Sequence, residues 1–156
     1  SKHADAMQKL AGVFRDQGNF ANAATYYAKT LEAAPDRKML NYEIAECMFS
    51  MNNYNGAIEK YLEVIKAFPD HKMAHFRIGR AYNELRKLDQ AVTWYEKTLA
   101  LDENFAEAWM YLGYANKEKF KYQKAIQAFE HYLKTATNKR DIEMVKTEIF
   151  DLKSLQ

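Results

Sequence analysis

His71 and His75 stand one helical turn apart, the spacing at which a helix offers two imidazoles to one metal ion. The glutamate of a hydrolytic His-Glu-x-x-His helix is missing, because Lys72 follows His71, and no third ligand stands nearby. The pair therefore reads as structural, and no metal is predicted. The one cysteine, Cys47, has no partner for an internal disulfide. One and two repeat lengths further on stand Ala81 and Ala115, so Cys47 reads as a small residue filling a buried slot. The sequence holds no glycine-rich phosphate loop, no serine elbow and no paired carboxylates that a fold would focus in a pocket. These readings point away from an enzyme and predict no cofactor. Recognition is then the chemistry to account for.

The elements that must position it are helices. Of 156 residues, 48% are hydrophobic and 28% charged, which suits a folded domain and is too apolar for a disordered one. Five Gly and two Pro leave little turn chemistry. The net charge of +2 gives no global argument for nucleic acid or an anionic membrane, so neither nucleic-acid binding nor direct membrane insertion is predicted. No run approaches the ~20 apolar residues of a membrane span. No leader-like apolar segment opens the chain, and it starts at Ser1 without Met, which reads as a mature form or a piece of a longer protein. Its compartment is left open between cytoplasm and periplasm.

A 34-residue period runs through the chain. Ala23, Ala57, Ala91 and Ala125 form one column. Tyr27, Tyr61, Tyr95 and Phe129 follow four residues on, then Leu31, Ile65, Leu99 and Leu133. Phe20, Tyr54, Leu88 and Tyr122 precede them by three, so all lie on one face of a helix. A second helix precedes each of these, with Leu10, Ile44, Ile78 and Leu112 as its apolar column and Ala11, Ala45, Gly79 and Gly113 as its small one. Asn116 breaks the next column, where Phe14, Met48 and Tyr82 stand in the earlier copies. Pro35 and Pro69 are expected to stop helices, and Asp36, Asp70 and Asp102 to cap the ones that follow.

This column order resembles the tetratricopeptide repeat. The best copy is Ala106 to Tyr114, where Trp109, Leu112 and Gly113 match the family's Trp-x-x-Leu-Gly opening; Ala91 with Tyr95, and Ala57 with Tyr61 and Pro69, match the second half. Met7, Asn41 and His75 depart from the Trp slot, and Glu103 and Thr137 from the usual Pro. The resemblance implies an all-α solenoid of antiparallel helix pairs, wound as a right-handed superhelix with a concave groove. Four repeats (4–37, 38–71, 72–105, 106–139) form one domain. Residues 140–156 form a terminal helix, with Ile142, Val145, Ile149 and Leu152 on one face, that covers the exposed end of the stack.

In this family the first helix of each repeat lines the groove. Residues off the packing columns of those helices are Asp5, Gln8, Gly12 and Arg15; Met39, Tyr42, Glu46 and Phe49; Met73, Phe76, Arg77, Arg80 and Asn83; and Met110, Tyr111, Tyr114 and Lys117, with Met144 and Glu148 on the last helix. The candidate binding set is Met39, Tyr42, Glu46, Phe49, Met73, Phe76, Arg77, Arg80, Asn83, Met110, Tyr114 and Lys117. Aromatics, methionines and arginines of this kind suit an apolar segment bearing a carboxylate. The competing reading is that they pack between repeats, with the arginines paired to Glu46, Glu84 or Glu107. The family's two-carboxylate clamp for chaperone tails needs Lys, Asn, Asn, Lys and Arg; this chain has Gln8, Gly12, Glu43, Met73 and Arg77, so only Arg77 fits. An asparagine ladder is absent too, with Lys9, Glu43, Arg77 and Tyr111 in that column. The leading expectation is a scaffold or adaptor that binds a protein or peptide partner. A dedicated chaperone and a homo-oligomer assembled through the array ends are the alternatives.

Overall fold

The computed structural model describes residues 2–155. Among them are nine helices and no strand: α1 Lys2–Asp16, α2 Phe20–Ala33, α3 Leu40–Ser50, α4 Tyr54–Ala67, α5 Lys72–Glu84, α6 Leu88–Leu101, α7 Ala106–Glu118, α8 Tyr122–Thr135 and α9 Lys139–Ser154. The helix ends keep the repeat in register. The even-numbered helices from α2 to α8 start at 20, 54, 88 and 122 and end at 33, 67, 101 and 135. Two compact units result, the first running to Ala81 and the second starting at Tyr82, so the division falls inside α5.

In the first unit α1 packs on α2, α2 on α3 and α3 on α4. Its core gathers Ala11, Ala23, Tyr27, Leu40, Ile44 and Cys47. In the second, α6 packs on α7, α7 on α8 and α8 on α9, and Ala125, Ile126, Phe129, Tyr132, Val145 and Leu152 form the core. The alanine column is fully buried, as are Tyr61, Tyr95 and Phe129. A methyl group lets the neighbouring helix approach, and the ring one turn later fills the space beside it. Val145 and Leu152 are buried while Lys146 and Lys153 face solvent, so α9 lays an apolar stripe on α8 and turns a polar face outward. The columns are not uniform. Ile44, Ile78 and Leu112 are buried, but Leu10 is 38% exposed, because α1 has no further helix on that side among the described residues. Leu31, Ile65 and Leu133 are only half-buried. Asn116 is buried in the column it breaks, and its Nδ2 donates to the Leu112 carbonyl at 2.9 Å, which removes the cost of a bare buried amide.

The turn chemistry follows the same period. Each first helix of a pair ends on a residue in the left-handed region: Gly18 (φ 75), Asn52 (φ 60), Arg86 (φ 59) and Phe120 (φ 57). The next residue's N–H returns to a carbonyl five residues back, at 2.8–2.9 Å, from Asn19 to Phe14, Asn53 to Met48, Lys87 to Tyr82 and Lys121 to Asn116. This is a Schellman closure, and it satisfies carbonyls that the helix end leaves open. The residue after the left-handed one is also the N-cap of the following helix. Asn19 and Asn53 cap with their side chains, accepting from Asn22 N and Gly56 N, whereas Lys87 and Lys121 make no side-chain cap. Only the first turn has the glycine such a position favours. Arg86→Gly is accordingly expected to stabilise the chain by about 1 kcal/mol, since left-handed backbone costs a branched carbon ~1–2 kcal/mol and the exposed Arg86–Glu118 pair it removes is worth less than ~1 kcal/mol. A thermal midpoint unchanged or lowered in Arg86→Gly would contradict this.

The aspartates expected to cap do not. Asp36 and Asp70 lie too early in their turns, and it is their backbone carbonyls that accept, from Lys38 and Lys72. The Asp102 carboxylate accepts from Asn104 N, ahead of α7. His71 occupies the cap of α5, its Nδ1 accepting from Ala74 N at 3.1 Å, and α3 starts after Met39 with no side-chain cap.

Candidate functional site

The histidine pair belongs to that first turn of α5. His71 caps it, and His75 is buried with its Nδ1 facing the His71 carbonyl at 3.2 Å. No group of three His, Cys, Asp or Glu side chains placed to hold a metal occurs among the described residues. Cys47 is buried, and burial first, then the nearby Glu43 carboxylate, pushes its thiol up to about 11, far from the reactive range.

The groove residues of the first unit converge on one network. Tyr42, Glu46 and Phe49 project from α3 at spacings of four and three, and Arg77 and Arg80 from α5 at a spacing of three. Arg77 Nη2 meets Glu46 Oε2 at 2.8 Å. The Tyr61 hydroxyl, from α4, donates to Glu46 Oε1, so both carboxylate oxygens are engaged. The Phe49 ring lies 5.7 Å from the Arg77 guanidinium and 6.0 Å from that of Arg80, within cation–π range. Tyr42 packs on Tyr61 at 5.6 Å and on His71 at 5.2 Å. Burial, then the Glu46 carboxylate, pushes the Tyr42 phenol up to about 12 and raises that of Tyr61 as well. For Arg77 burial opposes the charge, but Glu46 and the two tyrosines outweigh it and the guanidinium is held more firmly protonated.

Met39 and Met73 stand one turn ahead of Tyr42 and Arg77 and are 40% and 37% exposed. Phe76 is only 5% exposed and belongs to the buried interior, a correction to its expected place on a binding face. Its i+3 spacing from Met73 placed it on the open face, but α5 is buried over most of its circumference, at Ala74, His75, Phe76, Ile78, Gly79 and Ala81. Nearer the chain start, Arg15 bridges Asp16 at 3.1 Å and Glu43 at 2.8 Å, and Arg37 holds Asp5 and Gln8. Asp5, Gln8, Arg15 and Glu43 line a polar hollow with Lys9 and Tyr27.

In the second unit, Met110 and Tyr114 are half-buried against the core, Tyr114 standing edge-on to Phe129 at 5.0 Å. Lys117 is paired with Glu148 of α9. Asn83 is half-buried, and its carbonyl accepts from Arg86 N. The stacking columns concealed Tyr61's part in the first unit's network, since its ring carries the fold while its hydroxyl holds Glu46. One signal for the ion pairs was present in the sequence. Glu46 and Arg77 lie 31 residues apart, as do Lys117 and Glu148, so opposite charges offset by the period less three meet across neighbouring first helices.

Three tetratricopeptide repeat family models match residues 14–60, 48–104 and 106–139. The chain belongs to the tetratricopeptide repeat family. Among solved structures, a crystal structure of MamA is similar with a TM-score of 0.85 at 21% identity, over 97% of this chain and 83% of that one. MamA from Desulfovibrio magneticus RS-1 gives 0.72 at 20% identity, over 98% and 77%. The first TPR of Spaghetti (RPAP3), bound to the HSP90 peptide SRMEEVD, gives 0.69 at 24% identity, over 76% and 94%. These likenesses are of fold, and with the helices above they make the chain an all-α solenoid. No curated protein matches it in sequence.

Proposed function

We propose that the chain is a protein-interaction scaffold, an adaptor whose first unit takes a partner segment carrying a carboxylate among apolar side chains. The observation that carries this reading is the Glu46–Arg77 pair set against Phe49, with the exposed Met39 one turn ahead of Tyr42 and the exposed Met73 one turn ahead of Arg77. Exposed methionine and arginine stacked on an aromatic ring are features of interfaces. The network holds a guanidinium at a fixed place with an internal carboxylate as its resting partner, so an incoming carboxylate binds by displacing Glu46. Asn83, Met110, Tyr114 and Lys117 are read as a second set of contacts, with Lys117 held by Glu148 in the same manner. The reading is of binding without catalysis, and membership of a repeat family supports it.

Peptides selected by display against the chain should be enriched in Asp or Glu flanked by Leu, Met or aromatic residues. Glu46→Gln should bind them about fivefold to tenfold more tightly, because a neutral amide competes more weakly for Arg77 than a carboxylate does. The peptide SRMEEVD should be held by neither protein in a two-carboxylate clamp, since Gln8 and Met73 stand where that clamp needs lysine and Gly12 and Glu43 where it needs asparagine. Selection of peptides without acidic residues, or equal affinity for Glu46→Gln and the parent chain, would remove the reading.

A further inference from the structure

The second unit carries an exposed surface that the proposed binding face leaves unused, at the edge where α7 turns into α8. Phe120 holds the left-handed position of that turn, at φ 57, and is 78% exposed. The other three turns place Gly18, Asn52 and Arg86 in the same register. A bulky residue there costs backbone strain, and burial of its ring gives nothing back. The Tyr122 ring stands edge-on to it at 6.3 Å. Lys121 and Lys124 flank the pair and are exposed, and the three lysines 119, 121 and 124 crowd together, so that Lys119 and then Lys124 hold the Lys121 ammonium below its ordinary pKa.

The preceding turn joins the same edge, because Lys119 pairs with Asp89 and Arg86 with Glu118. Arg86, Lys87, Lys119, Lys121 and Lys124 thus outnumber the neighbouring carboxylates Asp89, Glu118 and Glu96. A net charge of +2 for the whole chain hides this local excess.

The edge is therefore a cationic rim around projecting rings. A second copy meeting it by the same face would set lysines against lysines. Phe120, Lys121, Tyr122, Gln123 and Lys124 line only a wide, open hollow, so a folded acidic partner would need a pocket of its own shaped for the projecting Phe120 ring. A lipid interface accepts such a knob without shape complementarity, takes aromatic rings at headgroup depth and attracts lysines when its lipids are anionic. We infer that this edge seats on an anionic bilayer surface, with Phe120 entering the headgroup region and Lys121 and Lys124 meeting lipid phosphates. No helix among the described residues is long and apolar enough to cross a membrane, so the association is interfacial.

The test is sedimentation of the chain with vesicles of phosphatidylcholine alone and of phosphatidylcholine mixed with phosphatidylglycerol. Binding is expected to the mixed vesicles only, and to be lost in high salt. Phe120→Gly should bind at least about fivefold more weakly, as should Lys121→Gln with Lys124→Gln. Phe120→Gly also relieves the positive φ, so its thermal midpoint should hold or rise and weaker binding cannot be ascribed to unfolding. No sedimentation with mixed vesicles overturns the inference, and so does undiminished binding by Phe120→Gly. Phe120-dependent binding of a soluble acidic polypeptide without vesicle binding also overturns it, and assigns the edge to a protein instead.

Discussion

Gly113→Ala is expected to destabilise the chain by about 3 kcal/mol, in the upper range for overpacking a closed core. Helix propensity alone predicts the reverse, because alanine is favoured over glycine inside a helix by ~1 kcal/mol. Packing decides the sign. A Cβ built at Gly113 falls on the edge of the Phe129 ring, well inside contact distance of Cδ1 and Cε1 and 2.9 Å from Cζ. Phe129 is fully buried and stands against Tyr114, so its ring has nowhere to withdraw. Gly12→Ala is the matched control. The nearest group to a Cβ there is the Tyr27 hydroxyl at 3.9 Å, so only the propensity term acts, and that variant should be neutral or slightly stabilised. Chemical denaturation of both separates the effects. Combining Gly113→Ala with Phe129→Leu should recover part of the loss, since the smaller side chain vacates the space the methyl needs. If Gly113→Ala and Gly12→Ala unfold alike, the close approach of α7 to Phe129 is wrong.

The contrast shows what the period encodes. Small residue, aromatic one turn on, and helix ends in fixed register are set by interactions that every repeat makes with its neighbour, so they recur at one spacing and could be read without a structure. Local exceptions follow other rules. The capping aspartates failed on register: His71, one residue after Asp70, stands at the cap with a suitable acceptor, while Asp36 and Asp102 lie three residues before Met39 and Phe105, which hold the cap positions of α3 and α7. Of the left-handed turn residues, Gly18 and Asn52 are types that adopt that region readily, whereas Arg86 and Phe120 give no side-chain signal; only the backbone geometry is repeated. In the candidate site, helical spacing brought Tyr42, Glu46, Phe49, Arg77 and Arg80 together. It could not place Phe76, whose burial depends on how much of α5's circumference its neighbours cover. Nor could it show that Arg77 has a resting partner. Of the three carboxylates weighed, Glu46 is the one that a 31-residue offset brings into reach.

That resting partner makes Arg77 a structural residue as well as a binding one. Arg77→Ala is expected to cost about 2 kcal/mol, between the ~0–1 of an exposed pair and the ~3–5 of a fully buried one, because the two side chains are 29% and 25% exposed. Arg77→Glu should cost more, since it sets a second carboxylate against Glu46. Loss of binding in a charge reversal would therefore not separate recognition from folding, whereas Glu46→Gln leaves the cation in place and keeps one acceptor oxygen for it. The same network sets an alkaline limit. The Tyr61 and Tyr42 phenols have folded pKa values above the unfolded value of about 10, so their contribution is complete below about pH 10 and is lost as pH rises through the folded values. Over that window the unfolded chain has released protons that the folded chain keeps, and stability falls by ~1.4 kcal/mol per pH unit for a fully buried tyrosine such as Tyr61. Tyr61→Phe should lower stability near neutral pH by about 1 kcal/mol, through the lost bond to Glu46, yet show a shallower decline above about pH 10. Urea midpoints measured on both sides of that pH give the two slopes. Parallel slopes for Tyr61→Phe and the parent chain would mean that the Tyr61 hydroxyl is not held in the buried bond to Glu46 that anchors the network.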